Sequence, residues 1–360
     1  MFTKSSPWSL ALLLAVLLTL PACAQRRAAP RSRAPMQAYQ TETFALSASP
    51  CAAKGYPMTI HFGAFVRSDG KTFVVPSGHF LRGGFGNSAI GWAVGDANQP
   101  APDSLEILYF SYTEDQFYEG RFALPQQQIH AWLKQGYWNM GKSQATTYHE
   151  LTVCVLPKGA VMVWLTGISQ KVLVGRFQAS ATSTDFRRFY RTSDRAKMIK
   201  EEQAAMPPAV RAEIAAGTIS ARQWDEYLKK YPWQVGFSQP LALDKYYLTY
   251  LSAERTTSPA TRDPAPYLRD LLTARSRPAP RDLWLYVRDE AGHRFLLRAE
   301  AFDEAETMAA FQALHKASPA AALTLRVETD KYVKSATFVL TDGTRTIPLT
   351  KTVVEVIPKG

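Results

Sequence analysis

LEILYFSY (Leu105–Tyr112), the polar turn Thr113 to Gln116 and FYEGRFAL (Phe117–Leu124) form the stretch that decides the fold. Leu105, Ile107 and Tyr109 alternate with Glu106, Leu108 and Phe110, the period-two pattern of a strand buried on much of both faces. A polar turn and a second alternating run make this an antiparallel hairpin. Just downstream, Pro125 suits the start of a helix, where its missing N–H costs nothing. Ile129, Trp132 and Leu133 fall on one face of that helix, and Gly136 suits its end. YHELTVCV (148–155) and AVMVWL (160–165) then read as a second hairpin about Leu156 to Gly159, with KVLVGRFQA (171–179) as a further strand. Upstream, MTIHFGAFV (58–66), the turn SDGK and TFVVP (72–76) read as another hairpin.

The same order returns near the C-terminus. DLWLYV and RFLLRAE flank a turn at Asp289 to Gly292, and a helix follows with Asp303 and Glu306 as a capping pair. LTLRVE, SATFVL, TRTIPL and TVVEVI supply strands. The pattern predicts an α+β fold, mainly antiparallel sheet, in two lobes. Each lobe has strand-strand-helix-strand-strand-strand order, and a helical insert joins them. The lobes are placed at residues 50–180 and 281–360, with the insert and linker at 181–280. Within the insert, 185–206 reads as helical, which would line up Arg187, Arg191 and Arg195 as a basic stripe.

The first residues read as a targeting segment. Lys4 is followed by an almost wholly apolar run from Ser9 to Leu20, shorter than the ~20 residues that span a bilayer. Leu20-Pro21-Ala22-Cys23 resembles the lipobox of bacterial lipoprotein precursors. That resemblance implies a signal peptide over 1–22, recognition of Leu20 and Ala22 by the lipoprotein signal peptidase, and lipidation of Cys23. A stable anchor takes more than one acyl chain. Residues 23–49 read as the lipidated cysteine and a disordered Arg/Pro/Ala tether. The formal charge of +11 includes Lys4 and Arg26, Arg27, Arg31 and Arg33 of the tether, so 11 − 5 leaves +6 for the rest. A nucleic-acid footprint needs a concentrated basic face, and none is expected here. Cys51, in a loop-like SPCAAKG segment, and Cys154, in a strand, stand either as a disulfide or as two separate thiols. If bonded, they would close a loop of about a hundred residues, worth roughly 4–5 kcal/mol in the chain-entropy model.

EDQFYEGRFALPQQQI (114–129), LPKGAVMVWLTG (156–167) and MPPAVRAEIAAGTISARQWDEYLKKYPW (206–233) together resemble a family of bacterial lipoproteins grouped around a domain of unknown function. The resemblance implies an envelope protein of a Gram-negative cell and brings no catalytic residues.

No established catalytic motif is present. Ser77-Gly78-His79 places a hydroxyl near an imidazole, but a triad is defined in three dimensions. The loop Arg82-Gly83-Gly84-Phe85-Gly86-Asn87 lacks the lysine and hydroxyl of a phosphate loop. Arg82, Gly83, Gly84 and Gly86 remain the candidate ligand-contact loop, because close backbone approach needs glycine. The six histidines show no paired metal-binding spacing, so neither a metal nor a cofactor is expected. The leading expectation is a non-enzymatic binding module, lipid-anchored in the bacterial envelope at the outer membrane and facing the periplasm. Its partners would be the membrane and an envelope protein or component, with no nucleic acid. The alternatives are an immunity lipoprotein against a delivered toxin, and an envelope hydrolase with a scattered site at Ser77, His79, Glu114 or Asp115.

Overall fold

A computed structural model describes residues 36–91, 96–191, 194–257, 259 and 261–359. Leu20, Ala22 and Cys23 lie outside the described residues, as does the tether up to residue 35. Among the described residues no helix is long and apolar enough to cross a membrane.

The hairpin that opened the sequence is present, with strands Ser104–Ser111 and Gln116–Ala123 in register from Ser104↔Ala123 to Ser111↔Gln116. Leu105, Ile107 and Tyr109 are buried as the alternation requires, and Tyr118 stacks on Tyr109. The pair belongs to a six-stranded sheet in the order Ser180–Thr182, Gln116–Ala123, Ser104–Ser111, Met58–Val66, Thr72–Val74, with Phe80–Leu81 also paired to Met58–Val66. The helix Gln126–Gln135 begins after Pro125 and stops at Gly136, whose φ of +57° favours glycine.

A nine-stranded sheet is the spine. Its order is Ser47–Ala52, Glu150–Val155, Ala160–Thr166, Gln170–Gln178, Arg255–Thr256, Ala242–Tyr250, Pro280–Arg288, Arg294–Ala299, Glu355–Lys359. A five-stranded sheet runs Arg275–Pro278, Lys230–Phe237, Leu323–Thr329, Ala336–Thr341, Thr346–Pro348. The fold is α+β and mostly antiparallel. Parallel pairing occurs where Ser47–Ala52 lies beside Glu150–Val155, and where Lys230–Phe237 lies beside Leu323–Thr329. Parallel neighbours need a long connection, and residues 53–149 separate the first pair and residues 238–322 the second.

Three expectations need correction. The nine-stranded sheet takes strands from both expected lobes, and the chain from Gln37 onward forms one compact unit. The insert is not only helical, because Lys230–Phe237 and Ala242–Tyr250 are integral sheet strands. Order also begins before residue 50: Ala38–Thr41 is helical and Ser47–Ala52 is an edge strand, so Cys51 sits on a strand rather than in a loop.

The core explains why these pieces fuse. Trp164 and Trp233 are fully buried, and their indole N–H groups donate to Ser252 O and Pro278 O, both at 3.0 Å. A buried indole needs such a partner. Phe311 and Leu314 from the helix Glu304–Ala317 pack into the same core, with Phe311 against Trp233. Asp303 caps that helix by accepting from Glu306 N at 2.8 Å. The Glu306 carboxylate does not reach back to the cap; it accepts from Thr350 N and Lys351 N instead.

Candidate functional site

The strands Met58–Val66, Ser104–Ser111 and Gln116–Ala123 bury one face and leave the other as the floor of a groove of about 710 Å³. Register sets its chemistry. Phe62 pairs with Leu108, and Leu108 with Glu119; Glu106 pairs directly with Arg121, closing an ion pair at 3.2 Å. Phe62 is 48 % exposed, a large apolar side chain left in water at the groove.

The ladder between Met58–Val66 and Ser104–Ser111 slips between Ile60 and Phe62. This bulge re-aims His61, as such irregularities do. The imidazole stacks on Phe189 at 4.3 Å, and His61 Nε2 hydrogen-bonds the Tyr190 hydroxyl at 3.1 Å. From there hydroxyls continue inward, Tyr190 to Tyr112 at 3.1 Å and Tyr112 to Thr59 at 3.0 Å. Burial pushes His61 down to about 4, so it is neutral at pH 7. A neutral imidazole at a groove wall can give or take one hydrogen bond without carrying charge.

The wall segment was expected to be helical and is not. Phe186–Arg188 is a single 3₁₀ turn, and the helix starts at Arg195. Phe186 and Tyr190 stack on each other and pack against Phe110, an aromatic cluster that holds the chain out of helical geometry. Arg187, Arg191 and Arg195 therefore share no helix face. Arg195 instead pairs with Asp115 at 2.7 Å.

Cys51 and Cys154 are directly opposite on neighbouring parallel strands, both buried and both thiols. Burial raises the Cys154 thiol well above its usual range, and its Cys51 neighbour adds to this. The glycine loop reaches the same place: Gly84 N donates to Ala52 O at 3.0 Å, and the buried Lys171 ammonium donates to Gly86 O. Lys171 is pushed down to about 8 by burial, and the two cysteines partly oppose that shift. The close approach at Gly86 is to Ala253, whose Cβ would lie 2.2 Å from a Cβ placed there. Phe85 packs edge-on against Trp164. Arg82 and Gly83 form the exposed limb of the loop, with Arg82 over the Phe80 ring.

Ser77 is exposed beside Gly78, whose φ is +77°. Glu114 accepts from Ser111, from Tyr118 and from Lys158 N. Among the described residues no three His, Cys, Asp or Glu side chains are grouped to hold a metal ion.

Sequence reasoning missed His61, although the strand carries a signal. Ile60 pairs with buried Tyr109 and Phe65 with buried Leu105, an even and an odd position facing the same side, the change of parity that a bulge produces.

These features define an α+β protein with a groove of mixed apolar and ionic character on the outer face of one sheet. The chain belongs to the family described as "Protein of unknown function (DUF2931)", which it matches over residues 30–221, more than half its length. That span contains the first groove and two of the three family-like segments. No curated protein and no solved structure matches the chain.

Proposed function

We propose that this is a lipid-anchored protein of the bacterial cell envelope, held through Cys23 at the outer membrane and facing the periplasm. In this reading the folded unit is a non-enzymatic binding module for a protein or another envelope component. The carrying observation is the groove over Ser104–Ser111, where exposed Phe62 and half-buried Leu108 lie beside Glu106, Glu119 and Arg121. An apolar centre rimmed by opposed charges is the usual anatomy of a recognition surface. The engagement of Glu114 and Asp115 in local bonds favours binding over hydrolysis.

Crosslinking and pull-down from intact envelopes test it, comparing wild type, Cys23→Ala and Phe62→Asp. The expected result is palmitate labelling and membrane fractionation that Cys23→Ala abolishes, with one recurrent crosslinked species that Phe62→Asp removes. Unlabelled, freely soluble wild-type protein would overturn the anchor. A crosslinking pattern unchanged by Phe62→Asp would overturn the groove.

A further inference from the structure

A second pocket, of about 510 Å³, opens on the strands Ala242–Tyr250 and Pro280–Arg288. These strands hold a place in the wiring that parallels the first groove. Met58–Val66, Ser104–Ser111 and Gln116–Ala123 follow a strand, Ser47–Ala52, that lies parallel to one after the helix; Ala242–Tyr250, Pro280–Arg288 and Arg294–Ala299 follow Lys230–Phe237, which does the same.

The register places the pocket's polar groups in rows. Arg255, Thr249 and Asp282 are consecutive partners across three strands, so their side chains stand on one face. Adjacent strands lie ≈ 4.8 Å apart, which separates the Arg255 and Asp282 backbones by roughly 10 Å. The next row on that face pairs Tyr247 with Trp284. Glu300 joins the acidic end, and Ile168, 56 % exposed, lies at the pocket as well.

The two ends of this arrangement differ in how fully they are paired. The half-buried Arg255 guanidinium donates to Gly167 O at 2.8 Å, and its Nε has no partner among the described residues. It forms no ion pair among them either, and Arg281 repels it. At the other end Asp282 Oδ2 accepts from Arg281 Nε at 3.0 Å and Glu300 pairs with Arg298 at 3.2 Å. Burial still raises the Asp282 carboxyl, with Arg281 opposing the shift and Glu300 adding to it. A cation without an anion therefore shares a face with two carboxylates. Their second oxygens, Asp282 Oδ1 and Glu300 Oε2, carry no hydrogen bond among the described residues, and Tyr247 and Trp284 stand in the adjoining row. Burying such groups is costly until partners arrive.

We propose that this pocket binds a small zwitterion, an amino acid or short peptide with both termini free. Its carboxylate would pair with Arg255, its ammonium with Asp282 and Glu300, and its apolar body would lie against Tyr247 and Trp284. Guanidinium–carboxylate pairing supplies direction as well as attraction. The volume admits a short peptide and not a folded partner.

Calorimetric titration of the full-length chain with trialanine, N-acetyl-trialanine amide and the neutral trisaccharide maltotriose tests this. Trialanine is expected to bind with a Kd at or below about 1 mM, and the doubly capped peptide at least about tenfold more weakly. Asp282→Asn and Arg255→Gln should each weaken trialanine by about tenfold. The capped peptide keeps the test decisive if Arg255→Gln fails to fold. Absence of trialanine binding, equal binding of the capped peptide, or preference for maltotriose would each overturn the proposal.

Discussion

The face built on Ser104–Ser111 and the face built on Pro280–Arg288 share a plan and differ in what they present. Inward residues are of one kind: Leu105, Ile107 and Tyr109 in the first, Leu283, Leu285 and Val287 in the second, all buried. Outward residues diverge. The first face is walled by Phe189 and Tyr190, carries a neutral imidazole and closes Glu106 on Arg121. The second has Tyr247, Trp284 and Tyr286 half-buried, with Lys245 over two of the rings and Arg298 over the third. Burial constrains one side of a strand to apolar residues of suitable volume, while the outward side is free to change chemistry. Differences of function should therefore lie in outward residues and differences of stability in inward ones.

The largest effects test whether both faces belong to one cooperative body. Trp164→Ala and Trp233→Ala each remove a fully buried indole and should cost about 3–5 kcal/mol. Calorimetry should show a single transition lowered by either change. Two transitions, each moved by one variant alone, would split the unit.

Next comes an alkaline contrast. Lys171 is held at about 8 in the folded chain against 10.5 when free, so the unfolded chain binds more protons between those values. Stability should rise as pH goes from about 8 to 10.5, by roughly 3 kcal/mol. Urea titrations of Lys171→Met should lack that rise.

His61 gives the acid counterpart. Its folded value of about 4 lies below 6.5, so its contribution is complete above 6.5 and is lost as pH falls toward 4. Allowing for partial exposure, the loss is roughly 2–3 kcal/mol. His61→Gln should flatten the stability profile between those pH values, and an unchanged slope would remove His61 from the groove wall.

The smallest effect is at the Glu106–Arg121 pair. Arg121 is largely exposed, and a double-mutant cycle with Glu106→Gln and Arg121→Gln should give a coupling below about 1 kcal/mol. A much larger coupling would mean that the floor of the groove is dry.

Local pattern made several elements legible: the 104–123 hairpin, the helix after Pro125 and the Asp303 cap. Ser47–Ala52 was hidden because Pro50 and small residues have little strand propensity; it is a strand through pairing with Glu150–Val155 at a sheet edge, where proline is tolerated. The fusion of the lobes was hidden because Lys171↔Arg255 and Thr249↔Arg255 join residues with no local signature of pairing. Helical charge spacing in 185–194 gave way to the packing of Phe186 and Tyr190 on Phe110. Of the candidate residues, the two cysteines and the glycine loop could be found in the sequence, but not their meeting at Lys171. The first groove was legible as an aromatic-rich hairpin without its outward side. The Arg255–Asp282 row required the register.

The central claim is that the first groove is a recognition surface. The direct measurement places a photocrosslinking residue at position 62 of the full-length chain in intact cells, and at position 332 as a control, where Tyr332 is 66 % exposed elsewhere on the surface. A discrete adduct at 62 that is absent at 332 is the predicted result. No discrete adduct at 62, or the same adducts at both positions, would contradict it.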